Sequence, residues 1–85
     1  MHYVYILKSP KSKWLYIGYT TDLEKRLKEH AAGTTYTTSR LGTTELAYYE
    51  AFIDESDAKN REKQLKDYGA ALGHLKKRIK GCLGA

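Results

Sequence analysis

Apolar residues fall in short runs near the N-terminus and at helical spacing further on. Residues 3–7 (Tyr-Val-Tyr-Ile-Leu) are β-branched and aromatic and predict a strand. Ser9-Pro10-Lys11-Ser12 is turn chemistry, with Pro10 fixing φ. Residues 14–19 predict a second strand, so the two should form a hairpin. One register pairs Tyr5 with Tyr16, and a slip by one residue exchanges the faces. Thr21-Asp22-Leu23-Glu24 then has the form of a capping box. It predicts a helix from Asp22 to about Ala32, ended by Gly33. Residues 33–44, rich in Thr and Gly, read as one loop. Residues 45–53 predict a third strand. Asp54 or Ser56 should cap a second helix reaching about Tyr68, and Gly69 breaks it. A basic helix is expected over residues 71–80, ended by Gly81. The order β-β-α-β-α-α predicts an α+β fold, a small three-stranded antiparallel sheet flanked by helices.

Both of the first two helical stripes contain residues foreign to a core. Leu23, Leu27 and Ala31 recur at i, i+4 and i+8, and the same face takes Arg26 and His30. In the second helix Ala58 and Leu65 point inward, and Glu62 falls on their stripe. A charge there is costly unless a partner or a metal satisfies it. Each residue has an ordinary explanation. Arg26 can snorkel to water from the edge of the stripe. His30 can bond a backbone carbonyl, and Glu62 can pair with Lys59 or Lys66 at i−3 or i+4. Three intrusions on faces turned toward one sheet argue for a site.

The tyrosines and the remaining carboxylate need the same weighing. Most of the eight tyrosines read as sheet residues. Tyr5 and Tyr16 stand out because a hairpin can bring both hydroxyls together. Glu50 shares its face with Tyr48 and Phe52 and reads as structural or as support for the site. Asn60 lies roughly 200° around the helix from Glu62, at about 100° per residue, and should not join it.

Composition narrows the class. The chain has 85 residues, 41% hydrophobic and 12% aromatic, which suits one globular domain over residues 1–85. The single Cys82 excludes an internal disulfide, and no cluster of Cys and His has structural-zinc spacing. No basic segment followed by an apolar run marks a signal peptide, and no run approaches the roughly 20 apolar residues of a membrane helix. A soluble cytoplasmic protein without membrane contact is expected. The net charge is +5 and is uneven, with Lys59, Lys63, Lys66, Lys76 and Lys77 in the C-terminal half. Such a surface attracts a phosphate backbone over a long range.

These residues resemble a known family. Tyr3-Val4-Tyr5 looks like its GIY element, and Tyr16-Ile17-Gly18 is a full YIG element about ten residues on. The stretch from Gly18 to His30 resembles the next motif, with Arg26 and His30 at the family's spacing. Ala58 to Lys66 resembles the segment carrying the family's metal-binding glutamate, here Glu62. The chain is identified on these motifs as a member of the GIY-YIG nucleases, similar to the small stand-alone bacterial members and to the nuclease domain of the UvrC-type excision-repair subunit. Two departures matter, the first through the close backbone packing that a glycine allows and the second at the substrate-contact surface. Tyr3 replaces the first glycine, and Arg40-Leu41-Gly42 stands where an Arg-Pro pair is common. Ala70 and Ala71 also occupy positions that are often basic in relatives.

The resemblance implies an endonuclease that hydrolyses phosphodiester bonds, expected in DNA, in repair or recombination by analogy. It implies one divalent ion, Mg²⁺ or Mn²⁺, on Glu62, with Arg26 at the scissile phosphate. Tyr5, Tyr16 and His30 surround the attacking water, and each remains a candidate base, with Tyr5 the working choice. Arg40, Lys59, Lys63, Lys66, Lys76 and Lys77 are the candidate nucleic-acid contacts. The alternative is a non-catalytic nucleic-acid-binding module. No feature sets the oligomeric state.

Overall fold

The computed structural model describes residues 1–9, 15–31, 44–67 and 69–84. The order β-β-α-β-α-α is observed: β1 (His2–Lys8), β2 (Leu15–Thr20), α1 (Leu23–Ala31), β3 (Glu45–Phe52), α2 (Glu55–Lys66) and α3 (Ala70–Arg78). The strands form one antiparallel sheet in the order β2-β1-β3, so β1 is central and β2 is an edge. The expected turn at Pro10, the Thr- and Gly-rich segment up to residue 43, and Arg40 lie outside the described residues.

Strand alternation sorts the side chains into two layers. Val4, Ile6 and Ile17 face α2 and α3, where they pack with Ala58, Leu65, Leu72, Leu75 and Ile79. Tyr5, Leu7, Tyr16 and Gly18 occupy the other face, toward α1. The register differs from the expected one. Tyr5 pairs with Gly18, and Tyr16 pairs with Leu7. The offset is two residues, so Tyr5 and Tyr16 keep a common face as diagonal rather than direct neighbours. Between β1 and β3 the register shifts at Ile6/Leu7. Ile6 faces Tyr48 and Leu7 faces Leu46, leaving Ala47 as an extra residue in β3.

The starts of α1 and α2 are set by aspartates. In α1 the backbone N–H of Lys25 donates to Asp22 Oδ1 at 3.0 Å. The cap is therefore Asp22, not Thr21 as the capping-box pattern suggests, and the helix begins one residue later. Asp54 caps α2 in the same way, accepting from the N–H of Asp57 at 3.0 Å. Of the expected α1 stripe, Ala31 is exposed, Leu23 and Leu27 are half-buried, and His30 is buried.

One polar lock lies on the α2 side. Glu50 accepts from the Tyr48 hydroxyl at 2.9 Å and from Arg61 Nε and Nη2 at 3.1 Å. This binds β3 to α2 through Glu50. Every buried polar side-chain atom among the described residues has a partner.

Candidate functional site

The site is assembled around the Tyr5 hydroxyl. Tyr5 is fully buried in the central strand. It reaches α1 because its cross-strand partner is a glycine. A Cβ placed on Gly18 would lie 2.4 Å from Tyr5 Cζ and Oη. Any side chain there would displace the phenol, so the glycine of Tyr16-Ile17-Gly18 is a steric requirement of the tyrosine opposite. Nothing in the strand periodicity marks Gly18 for this role until the register is known.

Two α1 side chains meet that hydroxyl. Arg26 Nε donates to Tyr5 Oη at 3.3 Å, and His30 Nε2 lies 2.9 Å from the same oxygen. They stand at i and i+4 on α1, one turn apart on one face. An arginine only donates. Tyr5 therefore accepts from Arg26, and its own proton can go to His30 Nε2 in the tautomer that carries the imidazole proton on Nδ1. Tyr16 completes the group, its ring centroid 6.1 Å from Tyr5 and 5.2 Å from His30. Arg26 Nη1 is also braced by Glu29 Oε2 at 3.3 Å. Glu29 is a contributor the sequence pattern did not single out.

The electrostatics follow from this packing. Burial pushes the Tyr5 hydroxyl up to about 12, against a smaller opposing pull from Arg26. Burial also lowers the His30 imidazole, with the Arg26 cation acting in the same direction and Glu29 against it. At neutral pH the group is thus a protonated phenol beside a neutral imidazole. The hydrogen bond to Tyr5 holds Arg26 charged. Arg26 and His30 both engage Tyr5, and Arg26 engages Glu29 as well.

Glu62 lies elsewhere. It is on α2, the helix packed against the opposite face of the sheet, and its carboxylate pairs with Lys66 Nζ at 3.0 Å. Pairing with Lys66 was one of the two ordinary explanations; the other candidate, Lys59, pairs with Glu55 at 2.7 Å. Lys59 Nζ also lies 5.6 Å over the Tyr19 ring of β2, whereas Arg61 reaches Glu50 on β3. Glu62, three residues after Lys59, is thus on the β2 side of α2. The sheet brings Tyr5, Tyr16, Arg26 and His30 together and leaves Glu62 across the edge strand. Among the described residues no group of three or more His, Cys, Asp or Glu is placed to hold a metal. One half-buried carboxylate is not a protein cage. It suits an ion that takes its other ligands from water and phosphate.

The basic candidates are scattered. Lys59 and Lys66 are engaged in the pairs above, while Lys63, Lys76 and Lys77 are exposed on α2 and on the last turn of α3. No described helix is long and apolar enough to cross a membrane.

Comparison with known proteins defines the class. The model of the GIY-YIG catalytic domain matches residues 1–80, so this chain belongs to the GIY-YIG family, whose domains are nucleases at family level. Among its relatives are small proteins of the UPF0213 group. The chain is 44% identical to one from Haloquadratum walsbyi, covering 79% of this chain and 75% of the relative. It is 46% identical to one from Clostridium perfringens, covering 78% and 71% respectively. The solution NMR structure of a UPF0213 protein from Bacillus halodurans superposes with a TM-score of 0.57 at 35% identity, over 94% of this chain and 85% of that one.

Proposed function

We propose that this protein is a divalent-metal-dependent endonuclease that hydrolyses phosphodiester bonds in DNA. In this reading residues 1–85 act as one domain, and Tyr5, Tyr16, Arg26, His30 and Glu62 carry the chemistry. The observation that carries it is the Tyr5 hydroxyl held between Arg26 Nε and His30 Nε2. A buried phenol needs at most one of these to be satisfied. Two, one cationic and one a proton acceptor, are what a proton relay requires.

Arg26 Nη2 is the donor assigned to the scissile phosphate, with Nε and Nη1 already fixing the guanidinium on Tyr5 and Glu29. Tyr5 Oη takes a proton from the attacking water while its own proton passes to His30 Nε2, a step that requires substrate binding to uncover the buried hydroxyl. The water oxygen forms the new bond to phosphorus, and the leaving oxygen departs with the electron pair of the broken bond. Arg26 lowers the cost of negative charge on Tyr5 during the transfer. Tyr16 closes the His30 side of the group. Glu62 would hold Mg²⁺ or Mn²⁺ at the β2 edge. When bound, the ion supplies positive charge against the phosphate. Lys59, Lys63, Lys66, Lys76 and Lys77, with Arg40, supply the sequence-independent attraction to the backbone. Repair or recombination is the setting we assign by analogy.

The test is incubation with labelled DNA and RNA structures in Mg²⁺, in Mn²⁺ and in chelator, beside Glu62→Ala, with binding followed in parallel. Metal-dependent cleavage lost in Glu62→Ala is the expected result. A second reading, a non-catalytic nucleic-acid-binding module, is favoured by the engagement of Glu62 with Lys66. Binding without cleavage, unchanged in Glu62→Ala, would select it.

A further inference from the structure

The α1 face holds a second feature that this chemistry does not use. An open groove of about 420 Å³ runs between α1 and the sheet, toward the Tyr3 end of β1. Ligand sites typically span roughly 300–1,000 Å³. Tyr3 and Tyr49 line it from the sheet, their rings edge to face with centroids 6.1 Å apart. Leu23 and Leu27 line it from α1 and are only half-buried, and Tyr49 is 50% exposed. Aromatic and apolar surface is therefore left in water on a domain with little core to spare. Tyr3 is the residue that replaces the family's first glycine, so this chain has built a ring into the groove where a hydrogen would stand.

Position ties the groove to the reactive group. Tyr49 is the direct cross-strand partner of Tyr5. Tyr3 precedes Tyr5 by two residues on the same face, about 7 Å along a strand that rises about 3.4 Å per residue. Leu23 and Leu27, which line the groove, belong to the same turn of α1 as Arg26, so an occupant of the groove lies beside the turn that carries Arg26.

Charge then selects the occupant. The ionisable groups of opposite sign to a phosphate are absent from the described lining, while Asp22 and Glu24 both belong to it. A phosphate would be repelled. A neutral planar group carrying N–H donors would stack on a tyrosine and bond to the carboxylates. Asp22 Oδ1 accepts from the Lys25 N–H, and Glu24 Oε1 faces Lys28 Nζ at 3.4 Å on the exposed surface. Each carboxylate keeps acceptor capacity beyond these bonds.

We propose that the groove takes an unpaired nucleobase of the strand being cut, adjacent to the phosphate assigned to Arg26. This rests on the nuclease reading above and adds a substrate class to it. A base inside a duplex has its faces stacked and its donors paired, so the groove selects unpaired nucleotides. The amino groups of cytosine, adenine and guanine suit the two carboxylates, whereas thymine offers no amino group.

The test follows the tyrosine ring resonances by NMR while deoxycytidine, deoxyadenosine or thymidine is added. These probes carry no phosphate. In chelator, affinities for a single strand and for the duplex of the same sequence are then measured for the protein, Tyr49→Ala and Tyr49→Phe. Deoxycytidine and deoxyadenosine should move the Tyr3 and Tyr49 signals, and thymidine should move them less. Tyr49→Ala should weaken single-strand binding about tenfold, the worth of one stacked base, and leave duplex binding within about twofold, while Tyr49→Phe keeps both. Nucleosides that leave the groove resonances in place overturn the proposal. So does equal loss of single-strand and duplex affinity, or Tyr49 signals that move with protein concentration alone and so assign the groove to a second copy. Cleavage lost in Glu62→Ala without any nucleoside effect sinks the groove and spares the nuclease. Nucleoside shifts without cleavage in either metal do the reverse.

Discussion

The two faces of this small sheet each hold a fully buried residue, for different reasons. On the α2 and α3 face, Val4, Ile6 and Ile17 meet Ala58, Leu65, Leu72 and Leu75. Those contacts are apolar and non-directional, and their worth scales with area removed from water. On the α1 face Tyr5 is as fully buried as Leu65. Its hydroxyl is nonetheless fixed by two directional bonds, to Arg26 and to His30. Beside it Leu23, Leu27 and Tyr49 remain partly open. Burial alone therefore does not tell a core from a site. What separates the faces is whether the buried atoms need a partner in a stated direction, and whether the layer closes.

The sharpest way to break this comparison is to exchange its two kinds of loss. Tyr5→Phe removes one oxygen from the α1 face. Cleavage should fall by about 10²–10⁴, the usual worth of a positioned base, while DNA affinity in chelator holds. Equal loss of cleavage and binding would reject the assignment of Tyr5 as base. Leu65→Ala on the opposite face should do the converse. It should cost about 2–5 kcal/mol of stability in a denaturant titration and leave the turnover of the folded fraction near that of the parent protein.

Gly18→Ala is the next largest effect. The new methyl meets Tyr5 at 2.4 Å, so the phenol must move from Arg26 and His30. About 1–3 kcal/mol of stability should be lost by overpacking. Turnover should fall by roughly 10²-fold, because a displacement near 1 Å is enough for that. A variant as active as the parent protein would mean that the Tyr5 position is not critical.

A pH series sharpens the comparison further. His30 is held below its ordinary value of about 6.5, chiefly by burial. Its neutral form is the one that accepts from Tyr5. The stability it contributes is present above about pH 6.5 and is lost as pH falls through the lower folded value. Cleavage should show an acid limb with its midpoint below about 6.5, and ring NMR of His30 should titrate with it. A midpoint above 6.5 would contradict the arrangement. Tyr5, near 12, should add no alkaline limb in the neutral range.

The smallest effect is expected at the polar lock on the apolar side. Arg61 and Glu50 are partly exposed, so Arg61→Ala should cost only about 1–2 kcal/mol after solvent screening. Thermal unfolding would then shift by several degrees, with cleavage unchanged.

Particular residues show how far the sequence could be read. Arg26 and His30 were visible because a helical stripe has a period, and each broke it in a place where apolar residues belong. Glu62 was visible for the same reason, and its ion pair with Lys66 is the local i to i+4 kind that a sequence displays. Asp22 was missed as the cap because Thr21 satisfies the same pattern one residue earlier, and only the bond to Lys25 distinguishes them. Gly18 stood out only as part of the Tyr16-Ile17-Gly18 motif, with no physical role attached, and Tyr49 carried no signal of its own. Each acquires a role only through the residue paired opposite it, Tyr5 in both cases.

The sequence by itself determined the element order, the pairing of the first two strands and the polar intrusions on α1 and α2. These depend on periods of two and 3.6 residues, which are local properties of the chain. The tertiary structure alone decided the register that sets Tyr5 over Gly18, the meeting of Arg26 and His30 at one oxygen, and the placement of Glu62 across the edge strand from them. It also left the groove between Tyr3, Tyr49 and α1 open. Those outcomes depend on how strands pair and how helices lie against the sheet, and the distances involved join residues far apart in the chain.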